Sequence, residues 1–172
     1  MIISNIILYV YLIILIILLF FLLYIIFATF SAAPYVPTSK KQIMKMLEMI
    51  DKPKTSTVLE LGSGDGRIVV ALAKQGFNTI GIEINPLLCL WSKILIKKNK
   101  LKNAKIINAN FWDYNLKDID ILTMYFIPHR MKKLAKKIKK EMKPGSLIVS
   151  NAFKLADWTI DRQNGTVYVY IV

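Results

Sequence analysis

The chain has 172 residues, the size of about one domain, and 55% of them are hydrophobic. It holds 24 Lys and Arg against 11 Asp and Glu, a formal net charge of +13, and the first charged residue is Lys40. The single cysteine, Cys89, excludes an intrachain disulfide, fits a reducing compartment and is predicted to fill space on a helix.

The N-terminus is an apolar stretch, with no charge over residues 6–30. About 20 such residues cross a bilayer as a helix. A cleavable signal peptide is the alternative, but it has a basic n-region and a shorter apolar core. We therefore predict a retained transmembrane anchor over residues 1–30. The positive-inside rule then predicts a single-pass membrane protein with residue 40 onward on the cytoplasmic side, by default of a prokaryotic cell membrane.

Residues 31–39 are predicted to be a linker, stiffened by Pro34 and Pro37. Residues 40–172 are predicted to form the remaining domain. It begins with a helix over residues 40–50 that has Ser39 as its cap and an apolar face.

The most informative stretch follows, where Val58 to Leu61 is an apolar run suited to a buried parallel strand. Three glycines come next at every second position: Gly62, Gly64 and Gly66. An apolar segment after them is predicted to be a helix packed on the sheet. A strand, a glycine turn and a helix form the place where an open α/β sheet binds a nucleotide-like ligand, although an ordinary turn is the simpler alternative.

The charges around the glycines indicate which ligand this is. Glu60 closes the strand and Asp65 lies inside the loop, and two carboxylates would repel a pyrophosphate. They suit a ligand with a cationic end, such as the ammonium and sulfonium of S-adenosylmethionine. The spacing also differs from the G-x-G-x-x-G of dinucleotide sites.

A second strand is predicted over Asn78–Glu83, with Glu83 at its end, 17 residues beyond Gly66. In nucleotide-binding α/β domains, an acid about 20 positions on binds the ribose hydroxyls, and an unrelated strand-end acid is the alternative. Asn85 and Pro86 then predict the start of a helix that runs to residue 98.

A third strand is predicted over residues 105–108, and a polar and aromatic turn follows it. Asn110 can accept a hydrogen bond from an adenine amine, and Phe111 or Trp112 can stack on the ring, although a core role for these aromatics is equally possible. A fourth strand is predicted over residues 119–126.

The last part of the chain continues the alternation of strands and helices. A helix with a lysine-rich outer face is predicted after residue 130, and a fifth strand over residues 146–150. Residues 158–160 and 166–171 are predicted to form a closing antiparallel hairpin through Asn164 and Gly165.

Taken together, these motifs resemble the class I S-adenosylmethionine-dependent methyltransferases. This implies a Rossmann-like α/β fold with a mostly parallel sheet and an antiparallel C-terminal hairpin, preceded here by one transmembrane helix. Residues 34–38, following an apolar span and preceding the glycine loop, resemble those of the membrane-anchored protein-lysine methyltransferases that modify the adenine nucleotide translocase and the ring-forming c protein of ATP synthase. A more distant resemblance is to Dot1-like lysine methyltransferases.

The resemblance implies specific roles for residues of this chain, and it implies no metal site. Tyr35, Trp112 and Tyr125 would form the catalytic aromatic pocket around the acceptor amine. Asn110 departs from the acid common at the adenine position. The cofactor-binding residues implied are Tyr35, Thr38, Glu60, Gly62, Ser63, Gly64, Gly66, Glu83, Ile84, Asn110 and Phe111.

The predicted reaction is methyl transfer to a lysine of a membrane protein, for which orientation and desolvation can replace a strong base. His129 could take the proton, but a surface position at a helix start is favoured. The alternatives are a small or lipid-like acceptor, or a non-catalytic basic adaptor tethered to the membrane.

The basic charge has three explanations. It can be solvated lysine, a surface attracted to anionic lipid, or a site for nucleic acid. Nucleic acid is disfavoured, because only three Arg occur, no aromatics alternate with the lysines, and no Asn-Pro-Pro-Tyr motif is present.

Overall fold

The structure, a computed structural model, describes residues 2–31 and 36–172. Tyr35, which the resemblance places beside the cofactor, lies outside the described residues. The chain divides into two compact units, Met1–Tyr35 and Val36–Val172.

The first unit contains one helix, α1, over Ile2–Ser31. Its segment Asn5–Tyr24 is long and apolar enough to cross a membrane, by length and composition, and none of that segment is buried within the protein. The large apolar side chains from Ile6 to Tyr24 are therefore exposed.

The second unit is a seven-stranded sheet covered by helices on both faces, with strand order β3-β2-β1-β4-β5-β7-β6. The first five strands run parallel, and β7 pairs antiparallel with both β5 and β6. Its elements are α2 Lys40–Glu48, β1 Thr57–Leu61, α3 Arg67–Lys74, β2 Asn78–Glu83, α4 Pro86–Lys98, β3 Ala104–Asn108, β4 Ile121–Met124, α5 Met131–Glu141, β5 Leu147–Asn151, β6 Arg162–Asn164 and β7 Val167–Ile171, with 3-10 turns at Phe111–Asp113 and Pro128–Arg130.

Successive residues of a strand point to opposite faces of the sheet, and this determines which helix each one meets. Leu59 of β1 packs in the core that contains α5, whereas its neighbour Val58 packs with α2 and α3. Cys89 of α4 is buried in a third cluster, between α3 and β3, and burial raises the pKa of its thiol. The predicted space-filling role of this cysteine is confirmed.

Side-chain caps start two helices where the sequence predicts them. Ser39 accepts a hydrogen bond from the amide of Gln42 at 3.3 Å and begins α2. Asn85 accepts from the amide of Leu87 at 2.9 Å, with Pro86 in the first turn of α4. The second cap directly follows Glu83, so it fixes how the chain leaves β2.

The C-terminal hairpin is present, but the prediction of its first strand is wrong. Residues 158–160 are not a strand, and Trp158 packs instead on Tyr170 with ring centroids 6.3 Å apart. The strand is the polar segment β6, and the two-residue loop is Gly165–Thr166 rather than a turn through Asn164. An edge strand pairs on one side only, so it needs no apolar face toward a second neighbour.

Candidate active site

The predicted site residues gather at the carboxyl edge of the parallel strands. One row of register partners crosses these strands, formed by Ile107, Ile82, Leu61, Met124 and Ser150. The residues that follow this row in the chain are Asn108, Glu83, Gly62, Tyr125 and Asn151. In open α/β sheets, ligands bind outside the carboxyl ends of the strands, which is where these five residues lie.

The glycine loop needs its glycines for two different reasons. Gly62, Gly64 and Gly66 all have positive φ, at +65°, +54° and +81°, a conformation that L side chains rarely adopt. At Gly66 a Cβ would also lie 2.8 Å from the Cβ of Ser92 on α4, so the loop packs tightly against that helix. At Gly62 a Cβ would meet no atom within 4 Å, so the backbone there borders open space.

Ser92 also holds the loop from below, and Ser63 leaves a donor unused. The buried Ser92 hydroxyl donates to the Gly64 carbonyl at 2.8 Å. The Ser63 Oγ is buried and has no hydrogen-bond partner among the described residues. A buried polar group without a partner is costly, so this hydroxyl is available to a ligand or a water.

Glu83 is buried and orders the loop through its carboxylate. One oxygen accepts from the Gly64 amide at 2.9 Å and the other from the Asn85 amide at 2.8 Å. The Asn108 side chain donates to the carbonyls of Glu83 and Ile84 at 2.9 and 3.0 Å, which fixes the end of β2. A carboxylate has about four acceptor positions, so two remain for hydroxyl groups.

Glu60 lies deeper, on β1, with 2% of its surface exposed. The Thr123 hydroxyl on β4 is hydrogen-bonded to its carboxyl group. Burial raises the pKa of Glu60 to about 8, and the Thr123 hydrogen bond only partly opposes this. The side chain is therefore mostly protonated at neutral pH, and a nearby cation would favour its ionised form.

Asp65 has a different role from the one its sequence context predicts. Its carboxylate forms a bidentate ion pair with the Arg67 guanidinium, at 2.7 Å for the shortest contact. Arg67 also donates to the backbone carbonyl of Thr38 at 3.1 Å. The prediction that Asp65 presents negative charge to a ligand is therefore wrong, because its charge is neutralised. Instead, Asp65 orients an arginine that holds the buried Thr38 beside the glycine loop.

The aromatic residues fall into two groups rather than one pocket. Phe111, Trp112 and Phe126 form a cluster with ring centroids 4.4 to 6.1 Å apart, partly buried against the main core. Lys133 of α5 places its ammonium 4.4 Å from the Trp112 ring centroid. The Asn110 side-chain oxygen accepts from the Trp112 amide at 3.2 Å, so this side chain caps the 3-10 turn.

Tyr125, predicted beside Trp112 in the acceptor pocket, stacks instead on Phe153, with centroids 6.0 Å apart and planes at 18°. Phe153 follows a strained residue, Ala152, whose φ is +69°. The turn is fixed by the Ser150 hydroxyl, which donates to the Phe153 carbonyl at 2.6 Å. Phe153 was not among the predicted site residues, although its place just after β5 was a usable signal. His129 is exposed in the 3-10 turn before α5.

The arrangement fits S-adenosylmethionine. A backbone bordering open space at Gly62, an unpartnered hydroxyl at Ser63, and two carboxyl groups at Glu60 and Glu83 suit a nucleoside with a cationic amino-acid end. The strand order and the glycine loop together define a class I S-adenosylmethionine-dependent methyltransferase. The predicted fold class, enzyme class and cofactor are confirmed.

The particular family follows from comparison with known proteins. Residues 60–162 match the ANTKMT methyltransferase domain, and the chain belongs to this family. A protein-lysine N-methyltransferase of Saccharolobus islandicus is 33% identical over 151 residues, covering 81% of this chain and 93% of that protein. The human lysine N-methyltransferase of the ATP synthase c protein is 30% identical over 142 residues, or 80% of this chain. The chain spans 60% of the human protein's length.

One solved structure is similar over a comparable range. The crystal structure of an RNA methyltransferase from Salinibacter ruber, in complex with S-adenosyl-L-homocysteine, has a TM-score of 0.76 and 30% sequence identity. It covers 79% of this chain and 93% of that chain. Its bound ligand agrees with the cofactor that the site geometry favours.

Proposed function

We propose that this protein is a membrane-anchored enzyme that transfers a methyl group to a lysine amine of a membrane protein. Residues 1–30 act as the anchor, residues 31–39 as the linker and residues 40–172 as the catalytic domain, on the cytoplasmic side of a prokaryotic cell membrane. The observation that carries the proposal is the edge row of Glu83, Gly62 and Tyr125, in a chain that also has a helix of bilayer-spanning length. The human relative is named for the c protein of ATP synthase as its acceptor, which supports a membrane-protein substrate.

The cofactor would lie along the glycine loop. Glu83 would accept from the ribose hydroxyls, and Glu60 and Thr38 would lie toward the amino-acid end. Asn110 and Phe111 would contact the adenine, with Tyr35 closing the methionine end. The remaining contacts are assigned to Ser63, Gly64, Gly66 and Ile84.

The acceptor amine would enter over the stacked pair of Tyr125 and Phe153, with Trp112 nearby. The bound cofactor supplies the methyl group on its sulfonium. The chain's own residues have to exclude water and hold the amine neutral and in line. An aromatic, partly dry surface lowers a lysine pKa, so a neutral amine can form without a strong base.

The test uses the full-length protein in phospholipid vesicles, with S-adenosylmethionine that carries a radiolabelled methyl group and bacterial membranes as the acceptor source. Label is expected in the protein fraction, as methyl-lysine after hydrolysis. Glu83→Gln should abolish labelling, and Glu48→Gln, which alters an exposed acid on α2, should leave it unchanged. Label confined to the lipid fraction would support a lipid-like acceptor instead.

RNA is a second candidate acceptor, favoured by the similar structure from Salinibacter ruber and by the net charge of +13. The same assay distinguishes it when total RNA is included as a third fraction. Label in nuclease-sensitive material, with none in methyl-lysine, would refute the protein-lysine proposal.

A further inference from the structure

The outer surface of α4 carries four large apolar side chains that the fold leaves exposed. Leu87, Leu90, Trp91 and Ile94 are 60%, 57%, 60% and 52% exposed. Their spacing of three and four residues places them on one stripe along the helix. Among the described side chains of residues 36–172, the only other large apolar ones exposed to this degree are Val36, Met44 and Ile171. We call these four residues the α4 stripe.

The stripe lies on the side of α4 that faces away from the protein. Cys89, Ser92 and Ile96, on the opposite side, are 3%, 0% and 8% exposed. They pack against α3 and β3. The helix already has a well-packed inner face, so the outer stripe is a second apolar face. A contiguous exposed apolar patch of this kind marks a binding surface.

The charge around the stripe is entirely positive. Lys93, Lys97 and Lys98 are exposed on α4, which contains no acidic residue. Lys98 lies four residues beyond Ile94, in line with the stripe, where its stem can lie along apolar surface while its ammonium reaches outward. Three further exposed lysines follow before the end of β3: Lys100, Lys102 and Lys105.

Helix α5 gives a useful contrast. Five of its lysines are exposed as well, but no large apolar side chain on it is. Its buried residues, such as Leu134 and Ile138, all face the core. Solvated lysine explains α5, but it does not explain the exposed Leu, Trp and Ile of α4.

We propose that the α4 stripe is a membrane-binding face, with its apolar side chains in the headgroup region of an anionic bilayer and its lysines against the lipid phosphates. The inference rests on the proposed function, because α1 anchors the chain in that bilayer. Eight residues, 32–39, separate α1 from α2, and eight residues span at most about 30 Å, so the catalytic domain stays close to the membrane surface. Trp is enriched at this interface, and basic side chains favour anionic lipid.

The test places a spin label at position 90 by Leu90→Cys in the full-length protein, reconstituted into phosphatidylcholine vesicles with or without phosphatidylglycerol. The matched control is Lys136→Cys on α5. The native Cys89 stays in place, because it is buried and unreactive, and the unsubstituted protein serves as the labelling blank. Collision with oxygen reports immersion in lipid, and collision with a water-soluble nickel chelate reports exposure to water.

With phosphatidylglycerol present, the label at position 90 should collide more often with oxygen than with the chelate, and the label at position 136 should show the reverse order. Lys93→Glu combined with Lys97→Glu should return the label at position 90 to the aqueous pattern. Binding of S-adenosylhomocysteine should be unchanged in every variant, which verifies that each one is folded.

Two other results would overturn the inference in different ways. If the protein floats with the vesicles but the label at position 90 shows the aqueous pattern, the anchor stands and the membrane face does not. Protection that arises only when acceptor membrane protein is added would assign the stripe to a protein partner. If the protein does not float at all, both the anchor and the membrane face are wrong.

Discussion

Replacing Glu60 by Gln tests how the site stores charge. The substitution keeps the size of the side chain and an acceptor for the Thr123 hydroxyl, and it removes the titrating group. Burial raises the pKa of Glu60 from its ordinary 4.5 to about 8 in the folded protein. The folded state therefore binds more protons than the unfolded state between these two values, and stability falls as the pH rises through this range.

The magnitude follows from the same pKa values. Each pH unit in this range corresponds to about 1.36 kcal/mol, which gives an upper figure of roughly 5 kcal/mol for the whole range. The wild-type protein and Glu60→Gln should have similar unfolding free energies near pH 4.5. By pH 8 the variant should be the more stable one by several kcal/mol, with no further change above that pH.

The measurement is urea unfolding of both full-length proteins in the same detergent, without cofactor, at intervals from pH 4.5 to 9. Subtracting one unfolding free energy from the other removes the contributions of α1 and of every other titrating group. Glu48→Gln, at an exposed position, should follow the wild-type curve throughout. A difference between wild type and Glu60→Gln that stays constant across the range would refute the assignment of a protonated, buried Glu60.

Three further predictions concern the loop and its neighbours. Binding of S-adenosylhomocysteine near pH 7 should release up to about one proton in wild type and none in Glu60→Gln, because the ligand ammonium favours the carboxylate; calorimetry in buffers of different ionisation enthalpy measures this. Arg67→Lys should weaken cofactor binding by about tenfold, since lysine cannot keep the bidentate pair with Asp65 while also reaching the Thr38 carbonyl, and an unchanged dissociation constant would contradict this. Ala152→Gly should stabilise the fold by up to about 1 kcal/mol in urea unfolding, as it relieves a left-handed residue, and destabilisation would show that the methyl group contributes packing that outweighs the strain.

Local signals predicted much of this fold because they act over a few residues. The glycine spacing, the cap at Asn85 and the acid at Glu83 each follow from short-range chemistry, and the structure brings Glu83 onto the Gly64 amide. Boundaries were less predictable. The fourth strand covers only Ile121–Met124, because Tyr125 lies past the row where its neighbours end.

Features that depend on strand adjacency or on loop geometry were not predictable. The pairing of Tyr125 with Phe153 requires β4 and β5 to be neighbours, which no local pattern states. The pairing of Asp65 with Arg67 depends on the backbone path through three left-handed glycines. Without that path, an acid in a glycine loop is more naturally interpreted as a ligand contact.

The connections at the carboxyl edge of the sheet are short. Two residues join β2 to α4, and only Tyr125, Phe126 and Ile127 separate β4 from the turn that leads into α5. Connections of this length leave little chain to fold over a bound amine. The acceptor protein would then have to serve as the lid itself, with its own surface excluding water around the target lysine. Free lysine or a short peptide would bring no such cover, so recognition and desolvation would depend on the same docking event.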